Sequence, residues 1–141
     1  MLYLFMLSLS CRSEHTPNPD IAPNPQHTSE TLQTTSTTET DIDVDTLFAR
    51  QQQSERMIID VRTPEEYAQG HITGARNIPL NLLESKLDEL SPHKDQEIYL
   101  VCAVGGRSHQ ARVFLNTKGF SKAINVQGGT RGWKAKGYPT K

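Results

Sequence analysis

Cysteine, net charge, aromatic side chains and long apolar runs are all scarce in this chain of 141 residues. Its two cysteines, Cys11 and Cys102, lie in unlike surroundings, one beside a short apolar run and the other after a strand-like one, so no disulfide framework is expected. With 15 Lys and Arg against 16 Asp and Glu the formal net charge is -1. Such a chain has no field with which to hold phosphates, and nucleic acid is not an expected partner. The longest apolar run, Leu2 to Leu9, falls far short of the roughly 20 residues that cross a hydrocarbon core. His15, His27, His93 and His109 lack metal-ligand spacing with one another or with Cys102, so no metal site is expected.

What is present divides the chain into three. Seven of the nine residues from Leu2 to Ser10 are apolar and lead to Cys11, the layout of a bacterial lipoprotein signal in which that cysteine becomes the lipidated terminus, although no basic residue precedes the run. Residues 12–40 hold 11 Ser and Thr, four Pro and three apolar side chains, too few to bury a core, and read as a tether. This layout makes residues 1–11 a signal segment and places the remainder outside the cytoplasm, periplasmic and lipid-anchored. A cytoplasmic protein with a hydrophobic tail is the alternative.

From Asp41 the pattern becomes that of an α/β domain. Ile42–Val44 reads as an edge strand, with Asp45 as N-cap of a helix carrying Leu47 and Phe48. Met57–Val61, Glu97–Cys102 and Ala123–Val126 are apolar runs of strand length, and Ala75–Pro79 is a short extended piece. Thr63-Pro64-Glu65-Glu66 is a capping box that starts a helix stopped at Gly70. Leu80, Leu83, Leu87 and Leu90 predict one amphipathic helix over 80–90; two more are expected over 107–118 and 130–136. Alternating strands and helices mean a mostly parallel sheet, and about 100 residues suffice for one core.

Ligands of open parallel sheets bind beyond the C-terminal strand ends, which directs attention to the loops after Val61, Cys102 and Val126. Residues 102–108 read Cys-Ala-Val-Gly-Gly-Arg-Ser. Gly105 and Gly106 allow the backbone to curl so that the N–H groups of Ala103 and Val104 onward converge, and a helix starting at Arg107 and Ser108 adds its positive end. A cysteine at the rim of such an anion nest is held as thiolate, the nucleophilic form. Arg107 is expected either to attract an anionic donor or to pair with Asp60. Asp60 and Arg62 end the neighbouring strand, where a pair between Arg62 and Glu66 is expected. His71 is a candidate base whose expected role is packing or hydrogen bonding, and Trp133 is expected in the core.

The stretch from Ile42 onward resembles a single-domain rhodanese, a thiosulfate sulfurtransferase. The resemblance rests on Asp60-Val61-Arg62, Glu65-Glu66-Tyr67, Gly70-His71-Ile72, Gly74 to Pro79, the 102–108 loop, Gly119-Phe120, Gly128-Gly129, Trp133 and Gly137-Tyr138-Pro139. It implies a five-stranded parallel sheet flanked by helices on both sides, and a mechanism in which Cys102 takes a sulfane sulfur from thiosulfate or a persulfide donor and passes it to cyanide or a thiol. No cofactor is implied, and a monomer is expected. Members specialised for thiosulfate often carry basic side chains just after the cysteine, where this chain has Ala103 and Val104. A cysteine phosphatase or arsenate reductase would need five residues between cysteine and arginine; here there are four. A binding module without turnover is the rival from another class.

Overall fold

A computed structural model of the protein describes residues 39–141. The signal segment 1–11, Cys11 and nearly all of the tether fall outside the described residues. Five strands, β1 (Asp41–Asp43), β2 (Met57–Asp60), β3 (Ala75–Asn77), β4 (Ile98–Val101) and β5 (Ala123–Gln127), form one parallel sheet in the order β1-β5-β4-β2-β3. The connections carry helices α1 (Val44–Gln53), α2 (Pro64–Ala68), α3 (Leu87–Leu90) and α4 (Gly106–Thr117), and α5 (Gly129–Ala135) follows the last strand.

The central strand β4 is buried at every position, as expected of a parallel sheet covered on both faces. Its side chains divide by the two-residue period of a strand. Ile98 and Leu100 join Ile59, Val61, Leu115 and Phe120 on one face, whereas Tyr99 and Val101 join Leu47, Ile58, Val126 and Trp133 on the other. Cys102 continues the first set. From β2 the chain leaves through α2, whose Tyr67 packs on the Trp133 face; from β4 it leaves through α4, whose Ala111 and Leu115 pack on the other. Two adjacent strands with diverging exits open a crevice at their C-terminal ends. Cys102 stands in it.

Two local expectations are corrected. Residues 80–90 form no single helix: 3-10 turns at Leu80–Leu82 and Glu84–Lys86 precede the single turn of α3, and another follows at Ser91–His93. Leu83 and Leu90 still face the core, because a spacing of three or four residues serves a 3-10 turn as well as an α turn. The Ser85 hydroxyl donates to Leu82 O at 2.8 Å, offering that carbonyl a partner outside an α ladder. The N-cap of α1 is Asp43, which accepts from Thr46 N at 2.8 Å, not Asp45. Val44 is the first residue of the helix, its buried side chain beside Gly128 and Gly132, and Asp45 instead accepts from Tyr138 Oη and Lys136 Nζ at 2.6 and 2.8 Å.

Candidate active site

The loop after β4 is shaped from its carbonyl side. Thr130 N donates to Cys102 O at 2.8 Å, Arg131 N to Ala103 O at 3.0 Å and Gly128 N to Val104 O at 3.0 Å. Three consecutive carbonyls are thus fastened to the turn before α5 and to its first residues, which leaves the opposite edge of the loop to present its N–H groups. Gly105 has φ of +126°, a conformation that only glycine adopts without strain. Gly106 lacks that need: it is the first residue of α4, its φ is not positive and a Cβ there would meet nothing. Of the two glycines credited with curling the loop, one curls it and the other leaves its outer face bare.

Into this edge points the Cys102 sulfur, on a residue only 1% exposed. Gly105 N donates to Sγ at 3.0 Å and the buried Ser108 hydroxyl reaches it at 3.4 Å. Ser108 Oγ also lies 3.1 Å from Gly105 O. Burial pushes the thiol pKa up, but the Ser108 hydroxyl and the N–H groups of Ser108, Gly105 and Val104 together outweigh it, and the net displacement is downward from the ordinary thiol value. The sulfur is therefore held toward the thiolate chiefly by neutral dipoles, with the Arg107 guanidinium coupled to it more weakly at longer range.

The charged groups around the loop pair differently from the expectation. Arg62 pairs with Asp60, Nε at 2.9 Å from Oδ1 and Nη2 at 2.7 Å from Oδ2, with the carboxylate fully buried. Arg62 lies in the bend just past β2, where its own N–H also donates to Asp60 Oδ1 at 3.0 Å, so the turn itself brings it onto Asp60 and not onto Glu66. The pair is tied further by Arg62 Nη2 to Gly70 O at 3.0 Å and by Asn77 Nδ2 to the carbonyls of Asp60 and Arg62 at 3.0 and 2.9 Å. Arg107 takes Glu66 instead, with two parallel contacts of 2.6 and 2.7 Å. The guanidinium holds the Glu66 carboxyl down at about 2, and Glu66 Oε2 also accepts from Thr63 N at 3.1 Å as half of the capping box of α2. Arg107 is committed to a structural pair across the mouth of the crevice. A depression of about 340 Å³ lined by Val61, Pro79, Leu80 and Arg107 opens on one side of it.

His71 stacks on Tyr67 with ring centroids 3.6 Å apart, and its Nδ1 lies 3.0 Å from Tyr67 O. It packs and hydrogen-bonds, as expected, and makes no contact with Cys102. Trp133 is buried, as expected, its indole donating to Pro139 O at 2.8 Å. One further residue shapes the site. Gly129 sits against the loop so closely that a Cβ there would lie 2.3 Å from Cys102 O and 2.7 Å from the Ala103 carbonyl carbon. In the sequence Gly128-Gly129 signals only a turn, because the demand comes from a loop more than 20 residues away.

The sequence profile of the Rhodanese-like domain family matches residues 43–136. The chain belongs to that family. It is 34% identical over 100 residues to a sulfurtransferase of Allochromatium vinosum, covering 70% of this chain and 92% of that one. It is 37% identical over 70 residues to the thiosulfate sulfurtransferase PspE of Escherichia coli, covering 50% of this chain and 67% of PspE. A rhodanese-related protein of Thermoplasma volcanium superposes with a TM-score of 0.65 at 31% identity, covering 72% of this chain and 97% of its own. These likenesses agree with the sheet order and with helices on both of its faces.

Proposed function

We propose that the protein is a sulfurtransferase that carries a sulfane sulfur as a persulfide on Cys102. The observation that carries the reading is the sulfur itself, enclosed on the core side and met by Gly105 N and Ser108 Oγ at the loop edge. Its thiolate attacks the outer sulfur of a donor; the donor's S–S bond breaks and its electron pair leaves with sulfite or a thiolate. The terminal sulfur of the new persulfide carries the negative charge, which preorganised N–H groups stabilise without reorganising. Cyanide or a thiol then attacks that terminal sulfur and regenerates the Cys102 thiolate. The Ala103 and Val104 side chains bring no charge to a sulfonate group, so an organic persulfide is favoured over thiosulfate as donor. The sequences of the relatives support sulfur transfer as the activity, since two of those compared are named for it.

The lipid anchor at Cys11 and the tether of residues 12–40, holding a domain of residues 41–141 outside the cytoplasm, belong to the same reading and rest on the sequence. Fatty-acid labelling of the full chain beside Cys11→Ser tests them. For the chemistry, the full chain is mixed with thiosulfate or an organic persulfide and weighed intact. A gain of one sulfur that cyanide removes as thiocyanate, absent from Cys102→Ser, is the expected outcome. No gain with either donor leaves a binding module as the better account.

A further inference from the structure

Beside Ala103, on the flank away from Pro79 and Leu80, lies a second depression of about 250 Å³ that the chemistry above does not use. Its charged lining is Arg62, Glu66, Arg131 and Lys134. Two of these charges are already cancelled, Arg62 by Asp60 and Glu66 by Arg107. Arg131 has no ion-pair partner among the described residues, and Lys134 only donates to Gln69 O at 3.4 Å. The depression thus keeps two uncompensated positive charges beside the reactive loop.

The backbone that carries them is fastened to the reactive loop. Arg131 N holds Ala103 O at 3.0 Å and Thr130 N holds Cys102 O at 2.8 Å, so both cations ride on an element fastened to the loop that carries the sulfur. Arg131 stands in the first turn of α5, where a cation opposes the helix dipole. Lys134, three residues on, is a like charge on the same face. No acidic residue follows Gly129 in the chain to relieve either. The dipole of α5 favours Lys134, in its last turn, and opposes Arg131, in its first; what the two exposed cations share is the depression beside the reactive loop, where one anion would meet both.

The position also selects among anions. A sulfonate bonded directly to the transferred sulfur needs its charge met at the loop, where Ala103 and Val104 are neutral. Cations set to one side suit a charge carried several bonds from that sulfur. We propose that this depression binds the carboxylates of an anionic low-molecular-weight persulfide donor, with Arg131 and Lys134 selecting it. The inference rests on sulfur transfer through Cys102. Cys102 Sγ attacks the terminal sulfur, the R–S–S bond breaks, and the carboxylate-bearing thiolate leaves with the electron pair while still held at Arg131 and Lys134.

The test compares glutathione persulfide with the persulfide of glutathione diethyl ester, the same skeleton without carboxylates, as donors to the full chain. The native protein is expected to prefer the charged donor in kcat/KM, and the Arg131→Glu/Lys134→Glu double variant to lower that preference about tenfold, as two partly exposed ion contacts would. Equal use of the two donors by the native protein, or a preference the double variant leaves untouched, overturns the proposal. S-methylglutathione, which cannot donate sulfur, is titrated into Cys102→Ser by NMR. Shifts at Thr130, Arg131 and Lys134 that fade with added salt support the site even if no donor loads Cys102, in which case sulfur transfer alone falls. Absence of those shifts overturns the site while leaving persulfide formation to its own test.

Discussion

Two loops meet at the crevice and are built on opposite principles. The one after β2 is braced by side chains: a fully buried carboxylate, a guanidinium bonded to it twice, an asparagine holding both backbones and a capping box. The one after β4 is braced by its own carbonyls and by a glycine packed against them, and among the described residues its sulfur is met by the Gly105 N–H and the Ser108 hydroxyl and by no ionic side chain. Asp60 and Arg62 neutralise each other within the first loop and Glu66 neutralises Arg107 across the crevice, which leaves the amides of the second loop free of fixed charge partners. Neutral dipoles of this kind would meet a thiolate and the proposed persulfide anion alike, because both place one negative charge at the loop edge.

The comparison can be broken hardest at the buried pair. Arg62→Met leaves Asp60 charged and unpaired at 0% exposure and should cost about 3–5 kcal/mol in denaturant unfolding, whereas Asp60→Leu with Arg62→Met should recover most of that. Gly129→Ala attacks the other brace. It places a methyl against two carbonyls in a left-handed residue at φ +52°, with an expected loss of about 2–3 kcal/mol and slower sulfur loading of the folded fraction. Sharper still is Ser108→Ala, which removes a donor to the thiolate. The Cys102 pKa should rise, so the pH profile of alkylation by iodoacetamide moves to higher pH while the fold persists.

The smallest effect is expected from Glu66→Gln, whose partners are each about a third exposed; at neutral pH it should cost under about 1 kcal/mol. That contribution has a pH signature. The Glu66 carboxyl is lowered from 4.5 to about 2, so its stabilisation is complete above 4.5 and is lost as pH falls toward 2. Urea unfolding of the two proteins should therefore differ at pH 6 and converge near pH 2.

The sheet, the capping box of α2 and the reactive loop were legible because each is written in adjacent residues: continuous apolar runs of strand length, a threonine three residues before a glutamate, a cysteine ahead of two glycines. Partner choice was not. Sequence proximity pairs Arg62 with Glu66 and offers Asp60 to Arg107, but the bend after β2 turns Arg62 back onto Asp60, and Glu66 meets an arginine 41 residues away. The leucines of 80–90 specified which residues turn inward but not the pitch of the turn. Gly129 and the free cations Arg131 and Lys134 matter only through the loop they face, and that neighbour is set by topology.

Trp133 is the single tryptophan of the chain and lies on the face of the sheet opposite the cluster that contains Cys102. Its indole is buried, edge-on to Phe48 and Tyr138 at 5.8 and 5.0 Å. The molecule thus carries an optical reporter of its folded state that shares no packing cluster with the reacting sulfur. A variant that keeps native tryptophan emission but no longer loads sulfur has lost chemistry; one that loses both has lost its fold.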